Sequence, residues 1–171
     1  MRSEQVRKML HHAAGRFAPE EMGPAAAGKR VDDPVGAAGK MLLNTDGASR
    51  GNPGPAGAGA FLTKADGTVV GAYKKFLGET TNNYAEYSAL ILGLESAAAA
   101  GATEVEVRAD SELMVRQLTG VYKVKHPDIR QLVEIVRDKE RRFRRVTYRH
   151  IPREQNVVAD RLSNEAIDEG A

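Results

Sequence analysis

LLNTDGASRGNPGPAG, residues 42–57, decides the fold. It opens as an apolar run and breaks into glycines and prolines, with one acid, Asp46, where the run gives way. Apolar residues precede Asp46 without the alternation of a one-sided strand, so residues 41–46 read as a strand buried in the middle of a sheet. The Gly/Pro cluster forces a turn, and the chain returns as a hairpin arm: residues 58–64, a turn at Ala65-Asp66-Gly67, and residues 68–77.

Outward from that meander the signals alternate. Residues 83–100 read as a helix closed by Gly101. In residues 104–109, Val105, Val107 and Ala109 alternate with Glu104, Glu106 and Arg108, the pattern of a half-buried strand. Residues 111–118 form a short helix ending at Gly120. Pro127 opens another, with Ile129, Leu132, Val133, Val136 and Phe143 on one stripe. Residues 146–151 are the last strand and 157–168 the last helix. A meander followed by strands separated by helices is a mixed α/β sheet.

The composition changes near residue 40. Residues 19–40, PEEMGPAAAGKRVDDPVGAAGK, read as a flexible linker, and Val6, Met9, Leu10, Ala13 and Phe17 ahead of it recur at helical spacing. Residues 1–39 are therefore expected to be an arm, dispensable for folding, and residues 40–171 a single catalytic domain. His11 and His12 are adjacent and would point apart on a helix, a poor metal pair.

Composition excludes several classes. There is no cysteine, which removes disulfides and thiolate metal sites and fits a reducing compartment, the cytoplasm. Tryptophan is absent, no apolar run spans a bilayer, and the N-terminus lacks the apolar core of a secretory signal. No GxxxxGK loop marks a nucleotide site. The net charge is only +2, but Arg137, Lys139, Arg141, Arg142, Arg144, Arg145, Arg149 and Arg153 crowd one stretch. Lys123 and Lys125 make a second basic spot. Alone, both read as solvated surface.

Four acids resist so bland a reading. Asp46 ends a central strand. Glu86 shares a helix face with Leu90, Leu94 and Ala97, where an unpaired carboxylate costs several kcal/mol. Asp110 follows a strand and Asp160 lies in the first turn of the last helix. Singly, Asp110 reads equally as a helix cap, Asp160 as an answer to the helix dipole, and Asp46 as a turn residue. Together they gather outside the carboxyl ends of strands, where α/β sheets place their sites. Converging carboxylates repel, and oxygen-only ligation points to Mg²⁺ or Mn²⁺ as the remedy.

Four segments, TDGASRGNPGPAG, TTNNYAEYSALILGL, RADSELMVRQL and HIPREQNVVADRLSNEA, resemble in order and spacing the motifs of type 1 ribonuclease H, the ribonuclease HI family. The resemblance runs from about residue 40 to 169. It implies a ribonuclease H-like fold: a five-stranded mixed sheet of order 3-2-1-4-5, strand 2 antiparallel, with helices on both faces. It also implies an endonuclease that cuts the RNA strand of RNA–DNA hybrids with two Mg²⁺ ions, replaceable by Mn²⁺, leaving 3′-hydroxyl and 5′-phosphate ends. A monomer would suffice, with no membrane and no protein partner.

Residue by residue, the resemblance makes Asp46, Glu86, Asp110 and Asp160 the metal-binding acids. Asp46 would bridge the ions, Asp160 would complete the water-activating site, and Glu86 and Asp110 the leaving-group site. Asn52, Asn83 and Glu86 would face the RNA strand, with Thr81 and Asn82 holding phosphates. A plain Asn-Pro turn and a helix N-cap remain the simpler readings of Asn52 and Asn82.

Two features depart from many relatives. Only GVYKVKHPD, residues 120–128, stands where a long basic handle would be, leaving Lys123 and Lys125 as grips for the DNA strand. The loop before the last helix reads Pro152-Arg153-Glu154-Gln155-Asn156 and lacks the usual histidine, so Arg153 is the candidate catalytic group there and His150 is expected beside the sheet. A resolvase or transposase core and a non-catalytic hybrid-binding module are the competing functions. The asparagines and glycine-rich turn favour ribose recognition over the first, and the full acid set argues against the second.

Overall fold

The structure, a computed structural model, describes residues 39–170; residues 1–38 of the expected arm lie outside the described residues, and Lys40, read as the end of the linker, instead begins the first strand. Five strands make one sheet in the order β3-β2-β1-β4-β5. They are β1 (Lys40–Ser49), β2 (Gly54–Lys64), β3 (Val69–Thr80), β4 (Glu104–Ala109) and β5 (Arg145–His150). β2 runs antiparallel to β1 and β3, while β4 is parallel to both β1 and β5. The helices are α1 (Asn82–Ala99), α2 (Glu112–Leu118), α3 (Pro127–Glu140) and α4 (Val157–Gly170). The expected sheet order and strand senses are those observed.

β1 carries the architecture because its two edges end at different places. Its parallel ladder with β4 stops at Thr45 opposite Ala109, but its antiparallel ladder with β2 continues to Ser49 opposite Ala56. Asp46 therefore lies within β1 rather than at its end, one residue past the last β4 partner. The Gly/Pro turn shrinks to Arg50–Pro53, since backbone pairing overrides the low strand propensity of Gly54 and Pro55. β3 likewise runs on to Thr80.

Side chains alternate across β1, so its two faces meet different helices. Leu43 and Gly47 touch α1 at Gly93 and Ala85, whereas Asn44 and Asp46 turn toward Asn156 and Ser163 at α4. α1 is buried from Tyr84 to Ala97, held between the sheet and α3. Its second buried acid, Glu95, is answered by Lys139 of α3, with Nζ 2.6 Å from Oε1. Phe143 is buried but lies past the end of α3, so it packs from the connection rather than from the helix stripe.

Caps settle two ambiguities. Thr81, not Asn82, caps α1, its Oγ1 accepting from the Tyr84 amide at 3.2 Å. Ser111, not Asp110, caps α2, its Oγ accepting from Met114 at 3.2 Å. Asp110 is thereby free of any capping duty.

Candidate active site

Where β4 parts from β1, carboxylate oxygens of Asp46, Glu86 and Asp110 all lie within 4.8 Å of one another. Asp46 comes from β1, Asp110 from the residue after β4, and Glu86 from the first turn and a half of α1. Glu86 reaches the strands because Gly47 has no side chain: a Cβ there would stand 2.2 Å from the Ala85 carbonyl carbon and 2.3 Å from the Glu86 nitrogen. The absence of one methyl lets α1 dock against β1 and delivers its acid to the cluster.

Asp160 stands outside that group of three. It approaches Asp46 as a hydrogen-bonding neighbour and is held from the solvent side by Arg153 at 3.7 Å and Asn164 at 3.4 Å. The site opens into a cavity of about 660 Å³. The four acids, Asn52, Asn82, Asn83 and Arg153 line it, together with Ser49, Ser111 and the exposed side chain of Leu113.

Burial sets the electrostatics. Asp46 is pushed up to about 8, first by burial, then by the Asp110 charge and the hydrogen bond with Asp160. Glu86 is raised well above its usual range by burial, with the Asp46 and Asp110 charges adding to it. One Glu86 oxygen, Oε2, is buried without a hydrogen-bond partner. Two buried acids that resist ionisation, one of them with an orphaned oxygen, fit a divalent cation, which supplies the missing charge and the missing ligand bond.

A pH dependence follows. In the folded protein Asp46 and Glu86 hold protons more tightly than in the unfolded chain, where they titrate near 3.8 and 4.5. The stability from holding those protons is complete below about pH 4 and drains away as pH rises toward about 8. In EDTA, Asp46→Asn should therefore be more stable than the wild type by about 2 kcal/mol near pH 8, with the gap closing toward about pH 4. Urea unfolding of both proteins across that range measures it. A variant weaker at every pH would mean that the hydrogen bond from Ser163 to Asp46 outweighs the burial of its charge.

The loop asparagines are structural braces as well as cavity walls. Asn82 Oδ1 accepts from the backbone nitrogen and the hydroxyl of Ser49, both at 3.0 Å, and the Asn82 amide donates to Asn52 Oδ1 at 3.1 Å. Asn83 Oδ1, in contrast, is buried with no partner. Thr81 spends its hydroxyl on the α1 cap. Lys123 and Lys125 are exposed in the α2–α3 connection and do not line the cavity. Arg153 opens a short 3-10 turn, Arg153–Gln155, and faces the site, while His150 ends β5 exposed and outside the cavity. Two buried neighbours of the acids had no signal in the sequence: Asn156 and Ser163, both bonded to β1 or its side chain.

A β3-β2-β1-β4-β5 sheet with β2 antiparallel and acids clustered where β1 and β4 diverge defines a ribonuclease H-like domain. Comparison with known proteins agrees. The Reverse transcriptase-like family matches residues 44–166. A ribonuclease HI of Halobacterium salinarum is 44% identical over 131 residues, 77% of this chain and 66% of that protein. The crystal structure of RNase H1 from that organism superposes with a TM-score of 0.75 at 43% identity, covering 77% of this chain and all of that one (100%). The N-terminal RNase H domain of a Mycobacterium tuberculosis protein, solved as a fusion with maltose binding protein, gives 0.73 at 48% identity, with 75% and 99% covered. LC11-RNase H1, solved in complex with an RNA/DNA hybrid, gives 0.73 at 46% identity, with 75% and 97% covered. The chain belongs to the ribonuclease HI family. It spans 36% of the length of the bifunctional Mycobacterium tuberculosis protein it matches at 48% identity.

Proposed function

We infer that the protein is an endonuclease that hydrolyses the RNA strand of RNA–DNA hybrids, leaving 3′-hydroxyl and 5′-phosphate ends. The observation that carries this is the cluster of Asp46, Glu86 and Asp110, one carboxylate oxygen of each within 4.8 Å of the others, in which Glu86 also has a buried oxygen without a hydrogen-bond partner. Asp46, Glu86, Asp110 and Asp160 would hold two Mg²⁺ ions, or Mn²⁺ in their place. When bound, the metal supplies Lewis-acid stabilisation of the phosphate and a water acidic enough to attack at neutral pH.

The chain's own residues account for the rest. Asn83 lines the cavity, and its side-chain amide can pair with a ribose 2′-hydroxyl, a group that DNA lacks. Asn52 and Asn82 use their carbonyl oxygens within the loop, which leaves the Nδ2 donors for backbone phosphate. Lys123 and Lys125 extend the positive surface for the second strand. The chain works as a monomer in the cytoplasm.

Arg153 cannot act as a base at neutral pH, so its contribution is charge: it steadies Asp160 and meets phosphate or departing product. Its side chain is 78% exposed, so Arg153→Ala should lower turnover about tenfold, less than loss of a buried oxyanion donor. His150→Ala should change it by less than about twofold, the small effect usual for a surface change. Turnover at saturating hybrid decides between them, and a larger loss at His150 reverses the assignment.

The function itself is tested with labelled hybrid, double-stranded RNA and double-stranded DNA, each with Mg²⁺, Mn²⁺ or EDTA. Cleavage of the hybrid alone, with metal, and products that ligate through a 5′-phosphate are expected. Cleavage of duplex DNA would favour a resolvase-like core.

A further inference from the structure

Asp160 stands outside the group of three acids, yet two buried residues bracket it closely. Asn156, Asp160 and Ser163 lie at positions i, i+4 and i+7 and share one face of the α4 segment. Asn156 is buried just before α4; its Nδ2 donates to the Thr45 carbonyl at 2.9 Å, and its Oδ1 accepts from Asn44 Nδ2 at 3.1 Å. Thr45 is the last β1 residue opposite β4, so this amide meets β1 where β4 leaves it. The Asn156 backbone carbonyl in turn accepts from the Asp160 backbone N–H at 3.0 Å.

Ser163 makes the second contact. It is fully buried, and its hydroxyl lies 3.2 Å from Asp46 Oδ2 and 2.8 Å from the Asp160 carbonyl. It reaches Asp46 because α4 rests on bare backbone. A Cβ at Gly57 would stand 2.3 Å from the Ser163 carbonyl oxygen, and one at Gly59 would stand 2.7 Å from the Ser163 nitrogen. Gly59 is the register partner of Asp46, so the close approach falls at the acid itself.

We propose that Asn156 and Ser163 are positioning residues that gauge α4 against β1 on either side of Asp160 and so set its distance from Asp46. This rests on reading the acids as a metal site. Neither side chain reaches the cavity; both act through Asp160 and Asp46. The pins touch β1 at consecutive residues, Thr45 and Asp46, so a slip of α4 along the strand breaks both. Apart from Asp46 itself, the partners of the Asp160 side chain are Arg153 and Asn164, which belong to its own segment and cannot index it to the sheet.

The test is calorimetric binding of Mn²⁺ to the full chain without substrate. Asn156→Ala and Ser163→Ala are compared with the wild type, and Asn156→Ala is repeated in an Asp160→Asn background. Each single variant should bind Mn²⁺ about tenfold more weakly, the usual cost of losing an outer-shell partner. With Asp160 already neutral, removing Asn156 should cost no more than about twofold, because there is no carboxylate left to place. An equal loss in both backgrounds would show a mere anchor of the helix and overturn the proposal. Ser163→Ala keeps the volume and suits a helix, so it carries the test if Asn156→Ala fails to melt cooperatively. Wild-type affinity in Ser163→Ala overturns the pins alone, whereas a wild type that binds no Mn²⁺ overturns the metal site as well.

Discussion

Asp110→Asn should lower cleavage of the RNA strand about 1000-fold, roughly 4 kcal/mol of barrier, while leaving hybrid affinity and melting temperature close to wild type. The asymmetry follows from what Asp110 does and does not touch. It lies just past β4, partly buried, within 4.8 Å of Asp46 and Glu86. The cap of α2 is the neighbouring Ser111, so the carboxylate is not needed to cap that helix. Asparagine keeps its shape and removes its charge, and a cation bound among three acids loses one of them. Single-turnover cleavage and equilibrium binding of a labelled hybrid separate the two effects. A variant that cuts at near the wild-type rate would remove Asp110 from the chemistry.

Gly47→Ala should be the most damaging single methyl in the described residues near the site. The added Cβ would meet the Ala85 carbonyl carbon at 2.2 Å, the Glu86 nitrogen at 2.3 Å and the Ala85 oxygen at 2.4 Å. These are helix backbone atoms, so no side-chain rotation relieves the clash, and α1 or β1 has to move. About 3 kcal/mol or more of stability should be lost, at the upper end for overpacking. The same movement carries Glu86 away from Asp46. The variant should therefore also lose most of the extra melting temperature that Mg²⁺ gives the wild type by binding the folded state. Thermal melts of both proteins with EDTA and with Mg²⁺ read both quantities. A variant that melts like the wild type and gains as much from Mg²⁺ would show that α1 does not depend on the bare backbone at Gly47.

What the sequence shows about this site depends on how local each signal is. Glu86 is legible because its burial is written in its own helix, through Leu90, Leu94 and Ala97 on the same face. The sheet order is legible through four motifs in series. The true length of β1 is not, because a strand whose two edges stop at different residues has no counterpart in a single apolar run. Phe143 mimics the α3 stripe by spacing alone, although the helix ends at Glu140. Asn156 and Ser163 are invisible for a stronger reason: their partners on β1 lie 111 and 117 residues away, and only the register of α4 on the glycines of β2 brings them together. Charge repulsion among the acids is readable as soon as they are known to converge. The larger cause of their raised affinity for protons, burial, becomes visible only when α1 and β1 are packed together.

The most direct measurement uses one hybrid with a different fluorophore on each strand, incubated with the full chain in Mg²⁺ and in EDTA and resolved on a denaturing gel. The RNA strand should shorten in Mg²⁺, the DNA strand should stay full length throughout, and EDTA should abolish cleavage. RNA-strand cleavage that persists in EDTA, or a cut DNA strand, would contradict it.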